Sequence, residues 1–416
     1  MTADVDVLIV GGGLVGASLA CALGRSRLRV ALVEPVPVEA EQQPSYDDRT
    51  TALAPSSQRI FQALGLWPEL RAEATPIRAV HVSERGGFGF TRLRAADERL
   101  EALGYVIPNR CLGQVLPVRA AAQPNVDVFC PARAEAIVTE SGAIAVQLAG
   151  EAGGRTLRTR LLVAADGARS HMRELLGIGT EVHDYEQTAV IANLTPERDH
   201  AGCAYERFTA EGPMALLPLS GGRCALIWSV PRAQAEDVLA LSDQAFLDAV
   251  QERFGYRLGR LLKAGRRSAF PLAMTTAQAF TAHRAVVIGN AAHSLHPVAG
   301  QGFNLSLRDV AALAELLHEA GQTGADPGAS ALLARYELAR QADYRRVGGF
   351  THFLVQLFSN RVPGLVGARN AGLLALDLLP PGKHGFLRYA MGRAGPLPRL
   401  ARGLPLPADT DTSATS

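Results

Sequence analysis

The first forty residues combine short apolar runs with a small-residue segment in an order typical of a βαβ unit. Val5 to Val10 is apolar and β-branched, which predicts a buried strand. Ala17 to Gly24 has helical character, with small residues that allow close packing on a sheet, and Leu28 to Val33 predicts a second strand. Parallel strands linked by helices indicate an α/β protein.

Two later stretches, at about 75–100 and 181–270, alternate between apolar and polar residues. In the first, the apolar positions flank the glycine turn Gly86-Gly87, and they are Val80, Val82, Phe88, Phe90 and Leu93. The second holds several short apolar runs and a helical pattern over 242–254. Alternation with period two predicts antiparallel strands. We expect the two stretches to join into one substrate-facing sheet.

The segments around these stretches have other periods. The pattern predicts a helix at 109–122 and a β-meander from 126–129, 134–139 and 143–148. A buried strand is expected at 160–164, and amphipathic helices at 310–319 and 330–346.

These elements predict an α/β fold with a discontinuous Rossmann-like nucleotide-binding domain, a β-sheet substrate domain and a helical C-terminal region. The nucleotide-binding domain is assigned to 1–74, 101–180 and 271–350, and the substrate domain to 75–100 and 181–270. The helical region is assigned to 351–408, and the polar end, 409–416, is expected to be disordered.

Composition narrows the class of protein. A net charge of +2 gives no reason to expect nucleic acid as a partner. The five scattered cysteines form no CxxC pair, and no signal-like segment or membrane-spanning apolar run is present, which favours a cytoplasmic protein. Between 378 and 408 five basic residues and no acid lie among apolar ones. Such a segment can lie on an anionic membrane surface or can form an ordinary solvated helix packed on the body.

The turn after the first strand carries the pattern GxGxxG, followed at the end of the second strand by an acid. Gly11 permits the tight turn, Gly13 lets the backbone reach a pyrophosphate, and Gly16 lets the helix pack on the strand. Glu34 is placed to accept hydrogen bonds from a ribose. With both strands and the acid present, the pattern predicts a dinucleotide site rather than a structural glycine turn.

A second glycine-rich stretch, AVVIGNAAHSLHPVAGQGFNLSLRD, occupies 285–309. A short apolar strand leads into a polar turn, and Gly300 and Gly302 precede a helix. The first N–H groups of a helix can bind an anion or an electron-rich ring edge. The stretch is therefore suited to a flat or phosphorylated cofactor, although an ordinary glycine-rich turn is the alternative.

Two further polar residues have two interpretations each. Asp166 follows a predicted strand, where it can contact a ligand at the carboxyl edge of the sheet, cap the next helix, or do both. Arg49 can pair with a phosphate or cover a flavin edge, or it can be a solvated loop arginine.

One dinucleotide motif, followed much later by Asp166-Gly167 and the stretch from Gly289, resembles class A flavoprotein aromatic hydroxylases of the para-hydroxybenzoate hydroxylase type. The resemblance covers nearly the entire chain and is closest to the ubiquinone-biosynthesis hydroxylases. The late glycine-rich stretch, the ERF at 206–208 and FSNRVPGLVGARNAGLLALD at 358–377 resemble 2-polyprenyl-6-methoxyphenol hydroxylases.

The resemblance implies an FAD cofactor and a set of residues that contact it. Arg173 corresponds to the family's trailing basic position, and either Gln114 or Asn109 to a glutamine near the ribityl chain. Asn290 stands where the family has an aspartate, and its amide keeps an acceptor. The implied FAD contacts are Gly11, Gly13, Gly16, Glu34, Arg49, Gln114, Asp166, Gly167, Gly289, Asn290, Gly300, Gln301, Gly302, Phe303 and Asn304. Pro297 belongs to the implied loop along the isoalloxazine edge.

The resemblance also implies the reaction, in which NAD(P)H and O2 are co-substrates and a flavin C4a-hydroperoxide hydroxylates a polyprenylated phenol. The protein must exclude water and deprotonate or polarise the phenol. His293 and His296 are the titratable groups in the loop; they either transfer a proton or orient the loop by hydrogen bonds.

Three alternatives stay open at the level of the sequence. The chain can be a sister hydroxylase acting at another ring position or on a soluble phenol. It can be an FAD-dependent reductase of the geranylgeranyl type, or an FAD-bound structural subunit of a ubiquinone-synthesis assembly. Other ubiquinone-synthesis proteins, and the inner face of the cytoplasmic membrane, are the further expected partners.

Overall fold

The fold was obtained as a computed structural model. It describes residues 3–37, 49–150, 154–295, 300–359, 363–379, 383–387, 391 and 397–407. Its side chains are described over the same ranges except 350–352, 354–356, 358–359 and 363–365.

Strands and helices both run through the described chain. The strands are β1 (Val5–Val10), β2 (Val30–Val33), β3 (Thr50–Leu53), β4 (Thr75–Ile77), β5 (Ala79–Glu84), β6 (Phe90–Arg94), β7 (Gly104–Pro108), β8 (Val126–Phe129), β9 (Ala132–Thr139), β10 (Ile144–Gly150), β11 (Arg155–Ala164), β12 (Thr180–Pro196), β13 (Cys203–Thr209), β14 (Gly212–Pro218), β15 (Cys224–Pro231), β16 (Leu261–Ala264), β17 (Ser268–Ala277), β18 (Thr281–Ala282), β19 (Ala285–Val287) and β20 (His293–Ser294). The α-helices are α1 (Leu14–Leu23), α2 (Pro55–Ala63), α3 (Trp67–Arg71), α4 (Asn109–Ala121), α5 (His171–Leu175), α6 (Ala235–Ala240), α7 (Asp243–Phe254), α8 (Gln301–Thr323), α9 (Ser330–Ser359) and α10 (Pro363–Leu378).

The first sheet has a parallel centre. Its order is β18-β19-β11-β1-β2-β8, and β1 pairs in parallel with both β11 and β2. Helix α1 packs against β1 and β2, and α8 packs against α1. Every residue of the two strands except Asp6 is buried, which explains why they are continuous apolar runs rather than alternating ones.

One predicted connection is wrong. The meander was expected to begin at 126–129, but β8 pairs in parallel with β2 at the edge of the first sheet. The antiparallel meander consists of β9, β10 and β11 instead. The sequence of a short apolar strand does not specify which strand it pairs with. A four-residue run such as β8 is therefore compatible with the meander and with the edge of the parallel sheet.

The second sheet combines strands from distant parts of the chain. Its order is β20-β17-β12-β15-β14-β13-β5-β6, and the parallel pairing of β5 with β13 joins the two β-rich stretches. Helices α6 and α7 cover one face: α7 contributes the side chains of Phe246 and Phe254, and α6 those of Val238 and Leu239. The opposite face is therefore left for contact with the first sheet's helices and for a ligand. The residue boundaries of the domains stay a prediction.

The C-terminal helices close the edge of the second sheet. Helix α10 lies alongside β6. The side chain of Asn370 accepts a hydrogen bond from the N–H of Gly89 at 2.8 Å, and that of Asp377 accepts one from the N–H of Arg92 at 2.8 Å. Arg369 is ion-paired with Glu84 at the same edge. In the part of the chain that the structure describes, none of the helices combines the length and the apolar character needed to cross a bilayer.

Candidate functional site

The turn after β1 has the geometry of a dinucleotide cradle. Gly11 has φ +104°, in the region that favours glycine, and a Cβ there would lie 2.5 Å from the carbonyl oxygen of Ala165. A Cβ on Gly16 would lie 1.8 Å from the carbonyl oxygen of Gly11, so only glycine allows α1 to approach the turn. Gly13 faces open space at the N-terminus of α1, where the free N–H groups point.

Glu34 follows β2 and turns back toward this cradle. Its carboxylate accepts hydrogen bonds from the N–H of Gly12 at 2.6 Å and from the N–H of Val36 at 2.9 Å. Burial raises the pKa of Glu34, and these two N–H groups oppose that shift without cancelling it. Each carboxylate oxygen keeps a second lone pair, so the acid can also accept from a ribose hydroxyl.

The Asp166 turn shows the capping role that the sequence left open. The carboxylate of Asp166 accepts a hydrogen bond from the hydroxyl of Ser170 and another, at 3.0 Å, from the N–H of Met172. These bonds hold the Gly167 turn against the start of α5. The guanidinium of Arg173 is buried and donates to the carbonyl oxygen of Ala291 at 2.9 Å. Arg173 therefore connects this turn to the one that follows β19.

The turn after β19 is anchored from below by a buried carboxylate. Asp309 of α8 is fully buried, and its Oδ2 contacts Nε2 of His293 at 2.9 Å and accepts from the N–H of Gly289 at 3.3 Å. Oδ1 accepts from Nε of Arg340 at 2.8 Å. Asn290, between the two anchored positions, is exposed. The loop is thus held by contacts on both sides of Asn290, which itself stays exposed.

Arg340 extends this network into α9. Its guanidinium donates to Asp343 at 2.7 Å, and Arg308 donates to the same carboxylate at 3.2 Å. Burial by itself would raise the pKa of Asp309, but the charge of Arg340 and the hydrogen bond with His293 outweigh burial and hold that pKa below its ordinary value. Asp309 is therefore ionised at neutral pH. The contact of His293 with Asp309 suits the orienting role; a proton-transfer role stays a prediction.

Helix α8 begins at the predicted cofactor loop. Gly300 has φ +59°, Gln301 is buried, and a Cβ on Gly302 would meet open space. The side-chain amide of Asn304 forms two hydrogen bonds with the backbone: it donates to the carbonyl oxygen of Ala52 at 2.8 Å and accepts from the N–H of Ala54 at 2.7 Å. Phe303 stacks on Phe61 with centroids 6.5 Å apart. The side chain of Asn304 thus fixes β3 against α8.

The other predicted contacts are more scattered. Arg49 lies over the ring of Phe270, with its guanidinium carbon 5.0 Å from the centroid, so it bridges toward the second sheet. Asn109 accepts a hydrogen bond from the hydroxyl of Thr51 at 2.7 Å, whereas Gln114 is exposed on α4. His296 and Pro297 lie outside the described residues. The roles assigned to all these residues in FAD binding stay predictions.

Four of the site segments meet for a topological reason. They follow β1, β2, β11 and β19, which are adjacent parallel strands, and the carboxyl ends of such strands lie at one edge of a sheet. The Gly13 opening and the N–H groups at the start of α1 suit the pyrophosphate of a dinucleotide. These residues fit FAD.

Two cavities flank the start of α8, between it and the second sheet. The larger, cavity A, has a volume of about 540 Å³. It is lined mainly by apolar side chains of β5, β6 and α10, among them Val82, Leu93, Leu373 and Leu376, together with Phe386, Leu387 and Met391. The smaller, cavity B, has a volume of about 260 Å³ and includes Gly300, Phe303 and Thr51 in its lining.

Glu206 of β13 lines both cavities, and its functional interest was missed at the level of the sequence. In the sequence it is distinguished only as the first residue of the ERF motif at 206–208. Burial raises the pKa of its carboxyl to about 8. The signal that could have identified it is a charged residue at an inward-facing position of a predicted strand.

Comparisons with known proteins agree with this geometry. The FAD binding domain family matches residues 4–350. The chain is 41% identical to the ubiquinone hydroxylase UbiL of Rhodospirillum rubrum, over 96% of this chain and 93% of the relative. It is 32% identical to the 3-demethoxyubiquinol 3-hydroxylase of Escherichia coli, over 93% of this chain and 98% of that one.

The fold has a solved counterpart. The crystal structure of p-nitrophenol 4-monooxygenase PnpA from Pseudomonas putida superposes with a TM-score of 0.78 at 19% identity, covering 94% of this chain and 99% of that one. The likeness confirms the predicted α/β fold class, and the family match confirms FAD as the cofactor. The chain belongs to the FAD-dependent aromatic monooxygenases, in the group that contains the ubiquinone hydroxylases.

Proposed function

We propose that this protein hydroxylates a ring carbon of a polyprenylated phenol in ubiquinone biosynthesis, with NAD(P)H and O2 as co-substrates. The relatives named for ubiquinone hydroxylation support the reaction. The observation that carries the substrate class is cavity A, because about 540 Å³ of apolar space beside the start of α8 suits a prenyl tail better than a small soluble phenol.

In this proposal some residues of the chain bind FAD and others exclude water from the site. Gly11, Gly13 and the N-terminus of α1 would hold the pyrophosphate of FAD, and Glu34 its ribose. Bound FAD supplies the redox chemistry, namely reduction by NAD(P)H and activation of O2. The N–H groups at the start of α8 favour negative charge at the adjoining end of the site. A prenyl tail that fills the apolar cavity A would keep water from reaching the adjoining ring through this side of the site.

The test compares phenols that differ only in their tails. Purified FAD-loaded protein is supplied with NADH or NADPH and with ortho-prenylated phenols bearing one to several isoprene units. We expect kcat/KM to rise with tail length until cavity A is filled, and mass spectrometry with NMR to locate one new hydroxyl on the ring. Equal rates for phenol and its prenylated forms would contradict the proposal. The NMR assignment also identifies the ring position that is hydroxylated, and so separates a 2-polyprenyl-6-methoxyphenol hydroxylase from a sister hydroxylase at another ring position.

We further propose that the protein is cytoplasmic and contacts the inner face of the membrane next to cavity A. Phe353, Leu378 and Leu379 are 57%, 67% and 59% exposed, and Phe353 also lines cavity A. The expected basic surface is partly neutralised, because Lys383 lies 3.3 Å from the carboxylate of Asp377. Apolar contact rather than charge is therefore the main support for binding.

Liposome flotation tests the membrane proposal. Vesicles of phosphatidylglycerol and phosphatidylethanolamine should retain the wild-type protein and lose the double variant Leu378→Ser, Leu379→Ser. The matched control is Leu262→Ser, which removes a 54% exposed leucine from the second sheet, away from α10. Equal retention of all three proteins would contradict the proposal.

A further inference from the structure

The carboxyl group of Glu206 lies where the two cavities meet. Across the second sheet, Glu206 is the register partner of Val82 on β5 and of Ala215 on β14. Val82 lines cavity A and Ala215 lines cavity B, while Glu206 lines both. A molecule with its tail in cavity A and its ring toward the start of α8 would pass this carboxyl group.

The neighbours of Glu206 on β13 point to the other side of the sheet. Tyr205 packs edge-on against Phe254 of α7, with ring centroids 5.4 Å apart. Arg207 donates to the carbonyl oxygen of Arg253 at 2.8 Å and to the hydroxyl of Ser83 at 3.2 Å. The alternation of a strand therefore places the side chain of Glu206 on the face opposite that of Arg207, and of these three residues Glu206 is the one that lines both cavities.

Little in the cavity walls compensates a charge on Glu206. Among the described residues that line the two cavities, Arg369 is the one cation, and it is ion-paired with Glu84. The polar groups that share the walls are Thr50, Thr51, Thr91, Tyr205, Ser229, Gln301 and Asn304. A carboxyl group in such surroundings favours a hydrogen-bonding partner from a ligand.

We propose, building on the proposed function, that Glu206 is a catalytic residue that binds the phenol hydroxyl of the substrate and accepts its proton. In this step the phenol O–H bond breaks and its electron pair stays on the phenol oxygen. The proton forms a new O–H bond to the carboxylate of Glu206. The negative oxygen increases electron density at the ring carbons ortho and para to it, which are the positions that an electrophilic oxygen attacks. The proton returns when the product leaves as a phenol.

The raised pKa suits this role. A phenol has a pKa near 10, so a carboxylate of ordinary pKa is about five to six units too weak a base. Burial raises the pKa of Glu206 to about 8, which narrows the difference to about two units. The carboxylate form, and with it the rate of hydroxylation, increases as the pH rises through about 8.

The first experiment measures binding without turnover. FAD-loaded wild type, Glu206→Leu, Glu206→Gln and the surface control Glu236→Gln are titrated at pH 8.5 with 2-prenylphenol and with its methyl ether, by calorimetry. Because the ether cannot donate a hydrogen bond, wild type and control should bind the phenol about 10- to 100-fold more tightly than the ether. The ratio should fall below about threefold in the Leu variant. The isosteric Gln variant, which retains an acceptor but no charge, should lie between, and it serves if the Leu variant fails to fold.

The second experiment measures turnover against pH between 6 and 9.5. In wild type kcat should rise with pH through about 8, and Glu206→Gln should lower kcat about 10²- to 10⁴-fold and remove that rise, with an unchanged flavin absorbance spectrum. A wild-type binding ratio in Glu206→Leu, or a wild-type pH profile in Glu206→Gln, would overturn the assignment of Glu206. If wild type itself neither binds nor hydroxylates any prenylated phenol, the proposed function is what fails, and the role of Glu206 falls with it.

Discussion

Replacing Asp309 by Asn tests whether the buried network beneath the cofactor loop stabilises the protein. The substitution keeps the size of the side chain and removes the charge. Asp309 contacts Arg340 at 2.8 Å, His293 at 2.9 Å and the N–H of Gly289 at 3.3 Å, and it has no solvent exposure. All three contacts lose a negative acceptor at once.

The expected loss follows from what remains around Arg340. Removing one partner of a buried ion pair costs about 3–5 kcal/mol because a charge is left uncompensated. Here Asp343 still lies 2.7 Å from the guanidinium of Arg340, so the charge keeps one partner. We therefore expect Asp309→Asn to lower the free energy of unfolding by about 3 kcal/mol, the lower end of that range.

The chain offers a matched control on the same pair of helices. Glu319 of α8 contacts Arg335 of α9 at 2.8 Å, but these side chains are 53% and 57% exposed. Solvent screens such a pair, so Glu319→Gln should change the free energy of unfolding by about 0.5 kcal/mol or less. The contrast between the two variants isolates burial, since both substitutions remove one carboxylate from the same interface.

Urea unfolding of the FAD-free proteins, followed by circular dichroism, measures both changes, provided the slope with denaturant is equal among them. The pH dependence is a second check. The pKa of Asp309 is held below its ordinary value, so its stabilisation is present above the ordinary pKa of 3.8 and disappears as the pH falls through the lowered value. The gap between wild type and Asp309→Asn should therefore close in acid. A loss within about 1 kcal/mol of the control at pH 7 would refute the reasoning.

Three further predictions concern the cofactor turn and the two cavities. Gly13→Ala should change the free energy of unfolding of the FAD-free protein by no more than about 0.5 kcal/mol, because the added Cβ meets nothing within 4 Å. The same Cβ should block the pyrophosphate and weaken FAD binding at least about tenfold. An affinity for FAD equal to that of wild type, measured by fluorescence titration, would contradict this. Relative to wild type, Glu206→Gln should stabilise the FAD-free protein increasingly from pH 5 to pH 8, by about 2–4 kcal/mol. Over this range the carboxyl group ionises in the unfolded state but stays protonated in the folded state, where burial raises its pKa to about 8, so the stability of wild type falls with pH and that of the amide variant does not. A constant difference in thermal scans would exclude the raised pKa. Leu376→Trp narrows cavity A, so in steady-state assays it should raise KM for long-tailed phenols about tenfold. The KM for a phenol without a tail should change by less than about twofold. An equal change in KM for both substrates would show that tails do not occupy this cavity.

The sequence by itself determined the features that depend on contiguous residues. Strand, glycine turn, helix, strand and Glu34 follow one another within about thirty residues, so the tight turn at Gly11 and the close approach of α1 at Gly16 could be inferred from the spacing alone. The late glycine-rich stretch was recognised for the same reason, because a strand and the start of a helix flank it. Glu34 and Gly289 each lie directly after a strand, at a position that the neighbouring residues in the chain determine.

Tertiary structure decided the features that join distant residues. The pairing of β8 with β2 rather than β9 depends on which edge of the sheet is free, which a four-residue apolar run does not specify. In the sequence Asp309 is an ordinary residue of a predicted helix. Only the folded structure brings it into contact with Arg340, about thirty positions later in the chain. Glu206 became a candidate because β5 and β14 place it between two cavities, and burial that shifts a pKa is a property of the folded chain rather than of any short segment.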